Sequence, residues 1–271
     1  MSRSKLSGIG DENMSNVKRV IKSIPFVGTT ASRLGRTDVI SRARRLLFRG
    51  SLSYWEDRYR CGGTSGAGSY GRLADFKASV INEFVEQQKI NSVIEFGCGD
   101  GAQLQIAKYP HYVGVDVAAS SIKRCAKQFA SDSTKSFHFA QALPETLGTF
   151  DLALSLDVIY HLIEDLVFDG YMQNLFGYSH AYVIIYSSNH DLPTNEPHVR
   201  HRNFTRWVLE NAVGWELTGR VANRFPFDPR QPNETSFADF FFFARRRAAL
   251  PRALSGGAER LGILTRITQS T

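Results

Sequence analysis

The chain has 271 residues, 42% hydrophobic and 22% charged, with a formal net charge of +7. That length and composition suit one large domain with extensions and exclude wholesale disorder. No apolar run reaches the roughly 18–20 residues of a membrane helix, and no secretory apolar segment is seen at the N-terminus, so an integral membrane protein is not expected.

The first 53 residues carry 11 Lys/Arg against 3 Asp/Glu and read as a basic extension, partly disordered or amphipathic. Within it Val17, Val20, Ile21 and Ile24 recur at helical spacing, with Lys18, Arg19 and Lys22 on the other side and Pro25 limiting the helix. Residues 54–245 form the dense domain, and 246–271 form a second basic tail. Residues 241–271 hold six Arg against one Glu, whereas 54–240 hold 16 basic against 22 acidic residues. The basic ends therefore read as solvated, or as peripheral contacts to an anionic membrane, RNA or an acidic partner. An acidic body does not favour nucleic acid as the acceptor. Three cysteines (Cys61, Cys98, Cys125) cannot all pair, which points to a reducing cytoplasm, with peripheral membrane attachment left open.

The dense domain opens on a segment, 54–72, with Tyr54, Trp55 and Tyr70 flanking glycines 62, 63, 66, 68 and 71. It reads as a mobile cover over a site, or as a plain linker. Leu73–Gln88 is an amphipathic helix. Strands are expected at Ser92–Phe96, Tyr112–Val117, Phe137–Ala140, Phe150–Leu156, Ala181–Ser187, Trp215–Arg220 and Ser236–Arg245. Helical patterns fall at Leu104–Lys108, Ser120–Phe129, Tyr160–Phe176 and Phe204–Ala212. Strand–helix alternation with continuous apolar strands means a mostly parallel sheet covered on both faces, ending in an antiparallel hairpin. Such sheets bind ligands at the carboxyl ends of the strands, where strand order reverses.

The chemistry centres on Glu95-Phe96-Gly97-Cys98-Gly99-Asp100-Gly101, which leaves a strand and opens a helix. Its glycines let a ligand approach the backbone, and Asp116, ending the next strand, suits the two hydroxyls of a ribose. The loop also satisfies the dinucleotide pattern G-x-G-x-x-G/A, so an NAD(P)-linked oxidoreductase competes. Glu95 discriminates. A carboxylate inside an apolar strand needs a partner, and it would repel a pyrophosphate but suit an ammonium or sulfonium. A backbone or lysine partner for Glu95 is the plain alternative.

Through SVIEFGCGDG (92–101), YVGVDVAASSI (112–122) and FDLALSLDVIYHL (150–162), the segment 92–163 resembles class I S-adenosylmethionine-dependent methyltransferases. The resemblance extends over roughly 54–245. It implies an α/β Rossmann-like three-layer sandwich with a seven-stranded, mostly parallel sheet, and S-adenosyl-L-methionine as cofactor. It implies that Glu95, Phe96, Gly97, Cys98, Gly99 and Gly101 surround the methionine part. Asp116 would hold the ribose with Val117 beside the adenine, Gln141 would lie near the adenine edge, and Asp157 near the methyl group. Only nine residues, Gln141–Thr149, link the third and fourth strands, where the family usually has a helix. Nine extended residues reach about 30 Å against a span of roughly 22 Å, which leaves no room for a full helix.

Methyl transfer needs a positioned acceptor and, for a hydroxyl, a group to take its proton. Asp157, His161, His198 and His201 are the catalytic candidates. Asp157 reads equally as a helix N-cap, and His161 as a packed core histidine. The long loop Ser187–Arg202 follows the fifth strand. Its His190, Arg200 and Arg202, with Tyr54, Trp55 and Tyr70, are the substrate-binding candidates, although a solvated loop has the same composition. Zinc is not favoured, since no cysteine lies near these histidines. The pattern Leu156-Asp157-Val158-Ile159-Tyr160 does not resemble the Asn/Asp-Pro-Pro-Tyr/Phe of enzymes acting on base amines. The reading is O-methylation of a small-molecule or saccharide acceptor. An oxidoreductase and a non-catalytic scaffold of the same fold are the alternatives.

Overall fold

The computed structural model describes residues 50–246. The amphipathic pattern at 17–27 and most of the C-terminal tail lie outside the described residues. The sheet comprises β1 (Ser92–Phe96), β2 (His111–Asp116), β3 (Lys135–Phe139), β4 (Phe150–Leu156), β5 (Ser179–Ser187), β6 (Trp215–Val221) and β7 (Asp239–Arg245). Their order is β3-β2-β1-β4-β5-β7-β6. The first five strands pair in parallel, whereas β7 runs antiparallel to both β5 and β6. This is the Rossmann-like sandwich of the sequence reading, with β6 and β7 as the terminal antiparallel pair.

The central strands are apolar on both faces because both are covered. Val93, Leu152 and Leu154 join one core with Ile81 and Val85 of α2 (Gly71–Gln87), and Ile122 of α3 (Ala119–Gln128) packs against it. Ile94, Ala153 and Val183 join the opposite core with Met172 of α4 (Asp165–Gly177) and Phe204 of α5 (Phe204–Asn211). Each fully buried aliphatic side chain in these layers contributes roughly 1.5–3 kcal/mol. The β3–β4 link holds two single 3-10 turns, Ala140–Ala142 and Glu145–Leu147, and no α-helix. Ala140, Leu143 and Leu147 pack against the second core instead.

Three local readings need correction. First, the segment after the glycine loop is a short 3-10 turn, Gln103–Ile106, rather than an α-helix, because Pro110 and the start of β2 leave only a few residues. Second, the helix expected from Tyr160 begins at Asp165. Residues before it form a 3-10 turn, Ile159–His161, that follows a left-handed Asp157 (φ 61°). Third, a helix not foreseen, α1 (Ser51–Arg60), precedes the glycine-rich segment. Its first turn is fixed by Ser51, whose backbone N–H and hydroxyl both donate to the Glu164 carboxylate (2.9 and 2.6 Å).

Gly114, mid-β2, leaves no room for a side chain. A Cβ there would lie 2.8 Å from Phe137 and 3.0 Å from both Cys98 Sγ and the Tyr112 ring. Gly114→Ala is expected to destabilise the fold by about 1–3 kcal/mol, the usual cost of overpacking. Urea unfolding measures it, and an unchanged midpoint would contradict this packing.

Candidate active site

The strand order reverses between β1 and β4, and a cleft of about 880 Å³, counting its open mouth, lies there. Its floor is the loop 97–101. Gly97 and Gly99 sit at φ 86° and 57°, a region L-residues avoid. A Cβ on Gly97 would collide with Val158, and one on Gly99 with the Ser65 hydroxyl. The N–H groups of Gly97 and Cys98 both donate to Val115 O (2.7 and 3.1 Å), which folds the loop back onto β2.

Asp116 ends β2. Its carboxylate accepts from the N–H groups of Gly99 and Ala118, each at 2.9 Å. Burial outweighs those bonds and pushes its carboxyl up to about 6. The backbone thus clamps one lone pair on each oxygen and orients the acid toward the cleft. Val117 lines the same wall. At the position expected for an adenine contact, Ala140 rather than Gln141 lines the cleft, and Gln141 is exposed.

Glu95 is buried in β1 and accepts the Tyr112 hydroxyl at 2.6 Å. Burial raises its carboxyl to about 7, against the pull of Tyr112 and the nearby Lys77 ammonium. Lys77, on α2, is 1% exposed and donates to Asp157 Oδ2 at 2.7 Å. Asp157 Oδ1 accepts the Tyr160 hydroxyl at 2.8 Å. Asp157 is therefore not a helix cap: its left-handed backbone turns the carboxylate toward α2. Sequence reasoning missed Lys77. The signal was its place in the apolar stripe of α2, four residues after Leu73 and four before Ile81.

The glycine-rich cover lies on the loop. Asp100, 1% exposed, accepts the Ser65 N–H (3.0 Å) and hydroxyl (2.8 Å) and the Tyr70 hydroxyl (2.6 Å). These donors hold its carboxyl below the usual range despite burial. Tyr59 shares the Ser65 hydroxyl at 3.1 Å. Tyr70, expected at the acceptor, is thus a strut of the cover.

Beside the cover, α1 brings aromatic rings to a histidine pair. Tyr54 stacks on His198 (centroids 4.9 Å), His198 on His161 (5.6 Å), and Trp55 meets the edge of His161 (4.9 Å). His161 lies 2.9 Å from the His198 carbonyl through Nδ1, so Nδ1 carries the proton and Nε2 a lone pair. Burial lowers its pKa to about 4. Trp55 and His161 line the cleft.

The other loop residues gather elsewhere. His201 accepts or donates at 2.7 Å with the Ser188 hydroxyl and packs on His190 (4.4 Å) and Phe237 (4.8 Å). Arg202 donates to the carbonyls of Leu162 and Ile163 and to Asp165. Arg200 joins Ile163 O and Asp165, both at 2.9 Å. Both guanidiniums thereby bind the loop to the start of α4, and with His201 they line a separate surface groove.

Residues 94–176 match a family model described as a methyltransferase domain. Among solved structures, the methyltransferase domain of bacterial CtHen1-C is similar at 16% identity. The match covers 63% of this chain and 97% of that one, with a TM-score of 0.50. The N-methyltransferase NodS from Bradyrhizobium japonicum WM9 is similar at 15% identity, over 65% and 98% of the two chains, TM-score 0.50. The small RNA methyltransferase HEN1 is similar at 13%, over 67% of this chain and 26% of that one, TM-score 0.50. No curated protein sequence matches the chain. The protein therefore carries a methyltransferase domain at residues 94–176, on the fold of the solved methyltransferases. It is an enzyme, and S-adenosylmethionine is its cofactor. The residues present fit that group: a glycine cradle that a Cβ would fill, an acid at the end of β2 for a diol, and the buried Glu95 for a cationic end.

Two expectations follow. Glu95 keeps its proton up to about pH 7 when folded, against 4.5 for an ordinary glutamate, so the folded state binds the extra proton between those limits. Its contribution therefore wanes as pH rises through 7. In ligand-free protein, Glu95→Gln should flatten the stability slope between pH 5 and 8 and stabilise the protein at pH 8. Urea melts at several pH values check this, and a wild-type slope in the variant would refute it. Asp100→Ala should free the cover, seen as faster limited proteolysis within 62–71 with the rest of the domain intact.

Proposed function

We propose that the protein transfers a methyl group to a hydroxyl of a small-molecule acceptor, saccharides included, with His161 as the group that takes the proton. The observation that carries this reading is the roofed cleft, in which α1 places Trp55 over a histidine held in one tautomer. An aromatic wall of this kind suits a ring-sized acceptor. The acidic body, 16 basic against 22 acidic residues over 54–240, also disfavours a polyanion.

When bound, S-adenosylmethionine supplies an activated methyl group for in-line displacement. The chain supplies the rest. Asp116 and the glycine loop hold the nucleoside side of the cleft. Trp55, which lines the cleft, supplies aromatic surface for the acceptor. His161 donates Nδ1–H to the His198 carbonyl, and its Nε2 takes the hydroxyl proton as the oxygen is alkylated. Burial keeps this imidazole neutral down to about pH 4, so its Nε2 lone pair is available across the physiological range, as a weak base that gains strength when a bound acceptor and cofactor change its surroundings. Asp157 is committed to Lys77 and Tyr160, which supports a positioning role for it.

The test is methyl transfer from labelled cofactor to a panel of sugars and phenols, with primary amines and small RNAs alongside. His161→Ala should lower kcat on a hydroxyl acceptor by about 10²–10⁴-fold while cofactor binding is kept. Wild-type kcat should stay flat from pH 8 until the pH approaches 4. Turnover of RNA or amines alone, or a kcat indifferent to His161, would overturn the proposal.

A further inference from the structure

We infer that the acceptor is a phenol, a flat apolar ring that brings its hydroxyl to His161, in preference to a saccharide. The inference rests on the proposed hydroxyl transfer and narrows its acceptor.

The part of the cleft beside α1 is apolar. Leu52 and Trp55 of α1 line it, with Val158, His161 and Leu162 that follow β4. These residues are neighbours. Trp55 meets the edge of His161, and the Ile163 N–H donates to Ser51 Oγ at 3.1 Å, which ties that stretch to the start of α1. The polar side chains around them are already engaged. Ser51 is 2% exposed, and its hydroxyl donates to Glu164 while accepting from Ile163. The Tyr59 hydroxyl is shared with Ser65, and that of Tyr171 meets Ser155 Oγ at 2.7 Å and Phe96 O at 3.0 Å. Asp157 is spent on Lys77 and Tyr160. His161 Nε2 keeps its lone pair, so this wall offers an acceptor for a single hydroxyl.

A saccharide brings several hydroxyls. Each one buried here without a partner lowers affinity about 10-fold. A benzene ring asks for no partner and packs on indole and leucine. Acidity points the same way. Burial makes His161 a weak base, and a phenol, with an ordinary pKa of about 10, gives up its proton far more readily than an alkyl hydroxyl. In the transfer the phenol oxygen forms the new O–C bond as the C–S bond breaks and its electron pair returns to sulfur. The O–H proton passes to His161 Nε2 and then to water. The products are an aryl methyl ether and S-adenosylhomocysteine.

Calorimetry on protein saturated with S-adenosylhomocysteine compares p-cresol, cyclohexanol and methyl β-glucoside, and labelled cofactor then measures transfer to each. p-Cresol should bind about 100-fold tighter than the glucoside, the scale of two or more stranded hydroxyls. Cyclohexanol, an apolar ring with an alkyl hydroxyl, should bind within about 10-fold of p-cresol yet be methylated about 100-fold more slowly. Leu52→Asn should weaken p-cresol about 3- to 10-fold and leave S-adenosylhomocysteine within about 2-fold. If that variant does not fold, as judged by circular dichroism, Leu52→Ala takes its place. Undetectable binding of p-cresol, binding without methylation, affinity unchanged in the folded variant, or equal turnover of cyclohexanol overturns the inference. A glucoside bound or methylated as well as p-cresol also overturns it, and hydroxyl transfer then still stands. Methylation of amines or RNA alone instead overturns the proposed function beneath it.

Discussion

The buried ion pair between Lys77 and Asp157 ties the two halves of the site together. It joins α2, which precedes the sheet, to the end of β4 in its centre. Taking the Lys77 ammonium out of water is expensive, and removing Asp157 would strand it, a loss that for a fully buried pair typically reaches about 3–5 kcal/mol. The pair is worth keeping only where its geometry serves something. Here the left-handed Asp157 aims its carboxylate at α2, where Lys77 meets one oxygen and Tyr160 the other. The pair also places a cation near Glu95, which burial alone would drive further toward its neutral form. The cleft floor is thus an arrangement of charges that answer one another.

The roof follows a different logic. Asp100 leaves the glycine loop and takes three hydrogen bonds from the cover, so floor and cover share one carboxylate. Gly99 has no side chain because the Ser65 hydroxyl occupies that space. Farther out, α1 is held by Glu164 at its first turn and by ring stacking against His198 and His161. Few of these contacts bury apolar area, which suits an element that admits ligands. The roof of the cleft therefore belongs to the more easily displaced part, and its floor to the sheet.

The sheet was legible because its pattern is periodic and its strands are apolar. The bounds of β1 and β4 could be read directly, and the short β3–β4 link followed from chain reach alone. The loop 95–101 and Asp116 were legible because glycines leaving one strand and an acid ending the next mark a nucleoside site, and Glu95 weighed against a pyrophosphate there. What escaped was non-periodic. Helix α1 has no apolar stripe; Ser51 is its one buried residue, and long-range bonds to Glu164 hold it. Lys77 reads as one more surface lysine until its position in the stripe is counted. In the loop 187–202 composition gave histidines and arginines but not their directions. Arg202 turns inward to cap the carbonyls of Leu162 and Ile163, a role set by where α4 begins.

The place of β7 has a bearing on how the protein comes off the ribosome. This strand is the last in the sequence to join the sheet, yet it sits between β5 and β6. Its run Phe240–Phe243 is buried on both faces. Until residue 245 is available, β5 presents an open edge and β6 has no neighbour in the sheet. During vectorial synthesis β5 therefore keeps an exposed apolar edge, and the sheet described here is complete only when β7 slots into the gap. A chain stopped within β7 loses two strands' worth of pairing rather than one.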